Sequence, residues 1–170
     1  MNTLFETGGD GSTATTHDWL TPPDILAPLG PFDLDPCASQ HQPWRTAARQ
    51  FTIADDGLAR MWQGRVWVNP PYGPFAARWL ARCADHGNAV ALVFARTETA
   101  AFQDEVWPKA LGILFLRGRV SFRLPGGGKA GPAGAPSVLI AYGRNNADVL
   151  SRCGLAGAYV PLHAANGCCP

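Results

Sequence analysis

Four consecutive residues, Asn69-Pro70-Pro71-Tyr72, carry the most specific chemistry in this chain. They follow Arg65-Val66-Trp67-Val68, which reads as a buried strand. Two adjacent prolines remove two backbone donors and fix two φ angles, so the strand must stop there. Asn69 precedes a proline and is held extended, with its amide projecting from the strand end. Gly73 and Pro74 come next, and Pro74 suits the first turn of a helix. A rigid turn offering one amide, carbonyls without neighbouring N–H groups and one aromatic ring is suited to gripping a planar amine. Taken alone, the same four residues could also be a strand-ending proline turn of any α/β protein.

Other residues of chemical interest are more scattered. Asp35 ends "PFDLD" at a second expected strand terminus, where it suits either a ligand role or the cap of the next helix. Asp55 and Asp56 sit in a turn before Gly57-Leu58, as ligand groups or as a solvated corner. Arg117, Arg119, Arg123 and Lys129 are the densest basic cluster; the three arginines share one face if their strand is continuous, and they suit either phosphate contacts or solvent. His17, His41, His86 and His163 lack the spacing of a metal site. The five cysteines, Cys37, Cys83, Cys153, Cys168 and Cys169, form no CxxC pair, which argues for reduced thiols over a disulfide framework or zinc site.

Composition limits what these groups can do. The 170 residues fit one domain, with 46% hydrophobic and 16% charged residues, a globular balance. A net charge of +1 supplies no global field for nucleic acid, so such binding would rest on a local patch. No apolar run approaches the ~18 residues of a membrane span. The start, "MNTLFETGGDGSTATT", lacks the basic and apolar regions of a signal peptide, so a soluble cytoplasmic protein is expected.

The elements that must position the turn can be read from periodicity. "HDWLTPPDILAPLG" predicts a helix capped by Thr21, with Ile25, Leu26 and Leu29 on one face and Gly30-Pro31 as its end. Phe32 to Leu34 predicts a short strand, "QPWRTAARQFT" a short helix, and "IADDGLARMWQG" a loop leading to an amphipathic turn. Phe75, Trp79 and Cys83 lie at helical spacing before Gly87. "NAVALVFA" is continuously apolar, as in a strand covered on both faces. A helix capped by Thr97 should come next, and then strands in "LGILFL", "RVSFRL" and "SVLIAYG" as an antiparallel addition. The Gly- and Pro-rich loop between Pro125 and Pro136 is expected to be irregular, as a substrate-contacting loop or a linker. The whole predicts a mostly parallel sheet with helices on both faces, whose ligands sit beyond the strands' carboxyl ends, where Asp35 and Asn69 lie.

Asn69-Pro70-Pro71-Tyr72 matches the N/D-P-P-Y/F/W motif of S-adenosylmethionine-dependent amino-group methyltransferases. With Trp19-x-Thr21-Pro22, Phe32-x-Leu34-Asp35-Pro36-Cys37-Ala38, Asp56-Gly57-Leu58 and Gly118-Arg119-x-x-Phe122, in that order, the chain resembles the small phage-type DNA N6-adenine methyltransferases from about residue 17 to 143. The resemblance implies a Rossmann-like class I methyltransferase sheet with a C-terminal antiparallel strand pair. It implies a methyltransferase domain over 17–143; the small, polar opening reads as an arm over residues 1–16, and 144–170 as an extension of no assigned role.

The same resemblance implies roles for individual residues. Asn69 and the Pro70 carbonyl would accept from the N6 amine, Pro71 would stiffen the turn, and Tyr72 would stack on a base flipped out of DNA, worth roughly 1–3 kcal/mol. Asp35, Pro36 and Cys37 would lie beneath the methionine part of S-adenosylmethionine, and Trp19, Thr21 and Pro22 would cover its carboxylate end. Asp56, or alternatively Asp55, would meet the adenosine. With DNA as the substrate, the basic cluster of Arg117, Arg119, Arg123 and Lys129 suits phosphate contacts or, as before, a solvated face, and no metal is implied. "DPCASQHQPW" departs from the wider class in having no glycine, and the short interval from Asp35 to Asn69 predicts a trimmed sheet. The turn could also serve cytosine N4, an RNA base or a protein glutamine, or remain in a silent nucleic-acid-binding module. The expected setting is a bacterial or phage-infected cytoplasm, in protection from restriction or in regulation.

Overall fold

In a computed structural model of the chain, the residues described are 19–71, 73 and 75–162. The expected arm over 1–16, Tyr72, Pro74 and the terminal "ANGCCP" therefore lie outside the described residues.

Val66–Val68 is the strand expected before the prolines, and here it is β3. All three of its side chains are fully buried, so the strand has no solvent face. Parallel to it on one side runs β1 (Leu34–Asp35), then β2 (Arg49–Gln50); on the other runs β4 (Ala89–Phe94). β5 (Gly112–Leu116) points the same way, while β8 (Ser137–Tyr142) and β9 (Gly157–Pro161) run opposite. The seven-stranded order is β2-β1-β3-β4-β8-β5-β9, so the sheet is mixed but largely parallel. Between β1 and β3 lie β2 and one 3-10 turn, Ile53–Asp55, and no α-helix forms among those residues, in keeping with the short interval.

Alternation along β4 divides the core. Ala89, Ala91 and Val93 face α2 (Ala76–His86) and α3 (Ala100–Glu105) in one cluster. Val90 and Leu92 face the other, which holds α1 (Pro23–Leu26) and α4 (Arg144–Arg152). Helices thus cover both faces, and each buried Val or Leu contributes about 1.5–3 kcal/mol. α2 ends as expected at Gly87, whose φ of 71° closes the helix through a bond to the Cys83 carbonyl. Residues after Tyr142 supply α4 and β9, the edge strand on β5.

Several local expectations differ from the fold. α1 is capped by Pro22 with no side-chain bond, so Thr21 is not its cap. Thr99, not Thr97, caps α3, its hydroxyl accepting from the Phe102 amide. "QPWRTAARQFT" forms no helix; the chain pairs with β1 instead as β2, because Ala48, Arg49 and Phe51 amides donate to the Phe32, Asp33 and Asp35 carbonyls. The strand after β5 is not continuous. It turns at Gly118 (φ 78°), and β6 (Ser121–Arg123) leaves the main sheet to pair with β7 (Lys129–Pro132). β7 lies inside the Gly- and Pro-rich loop, which is therefore one arm of a hairpin and not irregular throughout. No helix among the described residues is long and apolar enough to cross a membrane.

Candidate active site

Asp35 is the last residue of β1 and Asn69 the first after β3, so neighbouring parallel strands deliver both to one sheet edge. A cleft of about 50 Å³ opens there, lined by Trp19, Thr21, Asp35, Cys37, Ser39, Gln42, Thr46, Trp67, Asn69, Pro70 and Pro71 among others. Sequence-predicted groups from three motifs therefore converge on one space, although 50 residues separate Trp19 from Asn69 along the chain.

Asp35 is 3% exposed, and burial pushes its carboxyl up to about 6, against the opposing pull of its hydrogen bonds. Those bonds come from the Thr46 hydroxyl to Oδ2 at 2.5 Å and from the Cys37 amide to Oδ1 at 3.0 Å. Burial, with Asp35 adding to it, drives the Cys37 thiol well above its ordinary range. The thiol is neutral and donates to the Asn69 carbonyl at 3.4 Å, tying the β1 end to the proline turn. The Asn69 side chain is held as well: Nδ2 donates to the Trp19 carbonyl at 2.7 Å. Its acceptor end, Oδ1, is consequently the end turned away from Trp19.

Three residues lining the cleft carry buried polar atoms without a partner among the described residues: Thr21 Oγ1, Gln42 Nε2 and Trp67 Nε1. A buried donor left unpaired costs about 1–3 kcal/mol. They converge beside the buried Asp35 carboxyl, so the cleft sets potential donors next to an acidic group.

Cys37, Ser39 and Pro71 also line a second, larger pocket of about 420 Å³, with Pro36, Ile53, Asp56, Gly57 and Trp79. Asp56 adopts φ 49° at the end of a short 3-10 turn, Ile53–Asp55. Asp55 is committed elsewhere: its Oδ2 accepts from the Thr52 amide (2.8 Å) and hydroxyl (3.1 Å), closing a capping box. Of the two acids, Asp56 is the one on the pocket wall. Gly57 explains its own motif, since a Cβ there would lie 1.8 Å from the Pro36 carbonyl oxygen. The close backbone approach that the glycine-free segment after Asp35 lacks is supplied from across the pocket.

The three arginines do not share a strand face, because Gly118 interrupts it. Arg117, Arg119 and Arg123 nonetheless line one pocket of about 280 Å³ with Pro22, Asp24 and Ser121. Arg119 also donates to the Ala133 carbonyl at 2.9 Å. Pro22 thus faces the arginines and not the Asp35 cleft, and Lys129 stands opposite Arg123 in the β6–β7 register, outside that pocket lining. Tyr72 lies outside the described residues. No group of three or more His, Cys, Asp or Glu side chains among the described residues could hold a metal ion.

A match to the family described as DNA N-6-adenine-methyltransferase (Dam) spans residues 11–149. The chain belongs to that family. No curated protein and no solved structure matches it. Membership places the Dam-family chain among enzymes of DNA adenine N6 methylation, and the matched span includes the Asp35 cleft, Arg117, Arg119 and Arg123, and the β6–β7 hairpin. Gln42, Thr46 and Trp67 are cleft residues that sequence reasoning missed. Gln42 and Thr46 fall in or beside an expected helix that does not form, and Trp67 reads only as the apolar centre of β3.

Proposed function

We propose that this Dam-family chain transfers a methyl group from S-adenosylmethionine to the N6 amine of adenine in DNA, with the base flipped into the Asn69–Tyr72 turn. The observation that carries the proposal is the cleft where Asp35, Asn69 and three unpartnered polar atoms meet. Its donor set fits the amino-acid end of the cofactor. Thr21 Oγ1, Gln42 Nε2 and Trp67 Nε1 can donate to a carboxylate, and the Asp35 carboxylate can accept from an ammonium group. The adjoining pocket offers Ile53 and Trp79 as apolar walls and Asp56 as an acceptor for an adenosine hydroxyl or amine. This extent, from one pocket into the next, is consistent with a Rossmann-like methyltransferase sheet binding its ligand beyond the strand ends.

S-adenosylmethionine supplies an electrophilic methyl group on a sulfonium. The protein's part is placement. Asn69 Oδ1 and the Pro70 carbonyl would accept the two N6 protons, turning the nitrogen lone pair out of the ring plane and toward the methyl group. Pro70 and Pro71 keep that turn from relaxing, and a reaction held in near-attack geometry needs little else. No strong base is required, since the N6 proton is acidic only after methylation and can then leave to water. Tyr72 would stack on the base. Arg117, Arg119 and Arg123, converging on one pocket, would hold a backbone phosphate next to the flipped nucleotide.

Equilibrium binding tests the cofactor half: the protein should bind S-adenosylmethionine, and Asn69→Ala should retain that binding while losing at least about 10²-fold in transfer rate. An Asn69→Ala variant with near-normal transfer would remove the turn from the mechanism. A wild-type protein that binds DNA but no cofactor would favour the silent module.

A further inference from the structure

Resting on the methyltransferase reading, we propose that the backbone carbonyl of Trp19 is the positioning group for Asn69: it takes the amide's donor and so fixes the acceptor end toward the amine, and the β6–β7 hairpin holds it there. An asparagine amide can turn about its last torsion and exchange its oxygen for its nitrogen at little cost. Only one of the two orientations can accept from N6. The 2.7 Å bond from Nδ2 to the Trp19 carbonyl selects that orientation before any substrate arrives.

The carbonyl is itself anchored from two sides. Leu20 forms an isolated antiparallel bridge with Arg123 of β6, its amide donating at 3.0 Å and its carbonyl accepting at 2.9 Å. The Trp19 ring packs edge-on against Phe122 of the same strand at 5.9 Å. From the other side, Trp44 Nε1 donates to the Thr21 carbonyl at 3.2 Å. At the hairpin's tip, the Gly126 amide reaches the His41 carbonyl at 3.3 Å, beside the segment that carries Gln42 and Trp44. The hairpin that bears Arg123 and Lys129 therefore touches both walls of the cleft. It is the structural route by which contacts to nucleic acid bear on the amide.

The consequence is a requirement for a donor at position 69. A carboxylate there would face the Trp19 carbonyl oxygen, two acceptors in contact, and would regain the bond only when protonated. Asp35 and Cys37 are the titratable groups lining the cleft with it, and the Arg123 side chain lies on the neighbouring arginine pocket. Asp35 titrates in variant and wild type alike, so it cancels to first order in a difference between them.

Asn69→Asp, compared with wild type between pH 5 and 8, is the test. The Tm deficit of the variant should be small at pH 5 and widen toward pH 8. The sign is that of a carboxyl whose folded pKa is raised: stability is lost as pH rises through that value. The ratio of variant to wild-type kcat should fall over the same range, with the KM for S-adenosylmethionine little changed. As a second variant, Trp44→Phe keeps the ring and deletes one anchor, and should lower kcat about fivefold at unchanged KM for DNA. A Tm deficit and a kcat ratio that are both independent of pH would overturn the proposal. If wild type methylates no adenine, the proposed function fails, while the pH-dependent Tm deficit still reports the Trp19 contact.

Discussion

At Asp35, the proposed function sets ligand binding against the stability of the unliganded fold. Its carboxyl sits at about 6 against an ordinary 3.8 because burial penalises the charge, so the unliganded fold loses stability as pH rises from about 4 through 6. By the magnitude of that shift, Asp35→Asn should stabilise the unliganded protein at pH 8 by up to about 3 kcal/mol and leave it unchanged at pH 4. Thermal melts at the two pH values check this. The same substitution should weaken S-adenosylmethionine binding roughly 10- to 100-fold, the worth of a hydrogen bond to a charged group. In the wild type, an ammonium at Asp35 selects the ionised carboxylate, so cofactor affinity should rise between pH 5 and 7 with release of a proton. Calorimetry in buffers of different ionisation enthalpy reads that proton directly. Binding that is flat with pH would place the ammonium elsewhere.

Among the elements, the segment that crosses from β2 to β3 passes close against the end of β1 at Gly57. Gly57→Ala would press a methyl group into the Pro36 carbonyl, and we expect a loss of about 1–3 kcal/mol with weakened cofactor binding. A denaturant titration measures the first and equilibrium binding the second. How far such features are legible in the sequence depends on whether they are local. β3, β4 and α2 are readable because continuous apolar runs, paired prolines and the Gly87 stop are local signals. The course of residues 42–50 is not, because its alanines and arginines suit a helix until β1 offers a free edge beside it. Thr21 reads as a cap in sequence, yet its hydroxyl belongs to the cleft wall. The hairpin eludes sequence reading for the same reason: β7 has no strand signature of its own and exists only as the partner of β6. Asp56 can be separated from Asp55 only once the capping box is seen to occupy Asp55.

Across the whole molecule, a net charge of +1 means that affinity for DNA must come from one region. The arginine pocket and Lys129 are placed to supply it, on the same sheet edge as the cleft. Arg117→Ala should weaken binding about equally on all DNA sequences and reduce the salt slope by roughly one. An unchanged slope would remove Arg117 from the phosphate contacts. The most direct test of adenine methylation is transfer of labelled methyl from S-adenosylmethionine to unmethylated DNA, with RNA and protein offered alongside and mass analysis of the nucleosides afterwards. The expected result is label in N6-methyladenine from DNA, abolished by Asn69→Ala. Label confined to N4-methylcytosine, RNA or protein would contradict it.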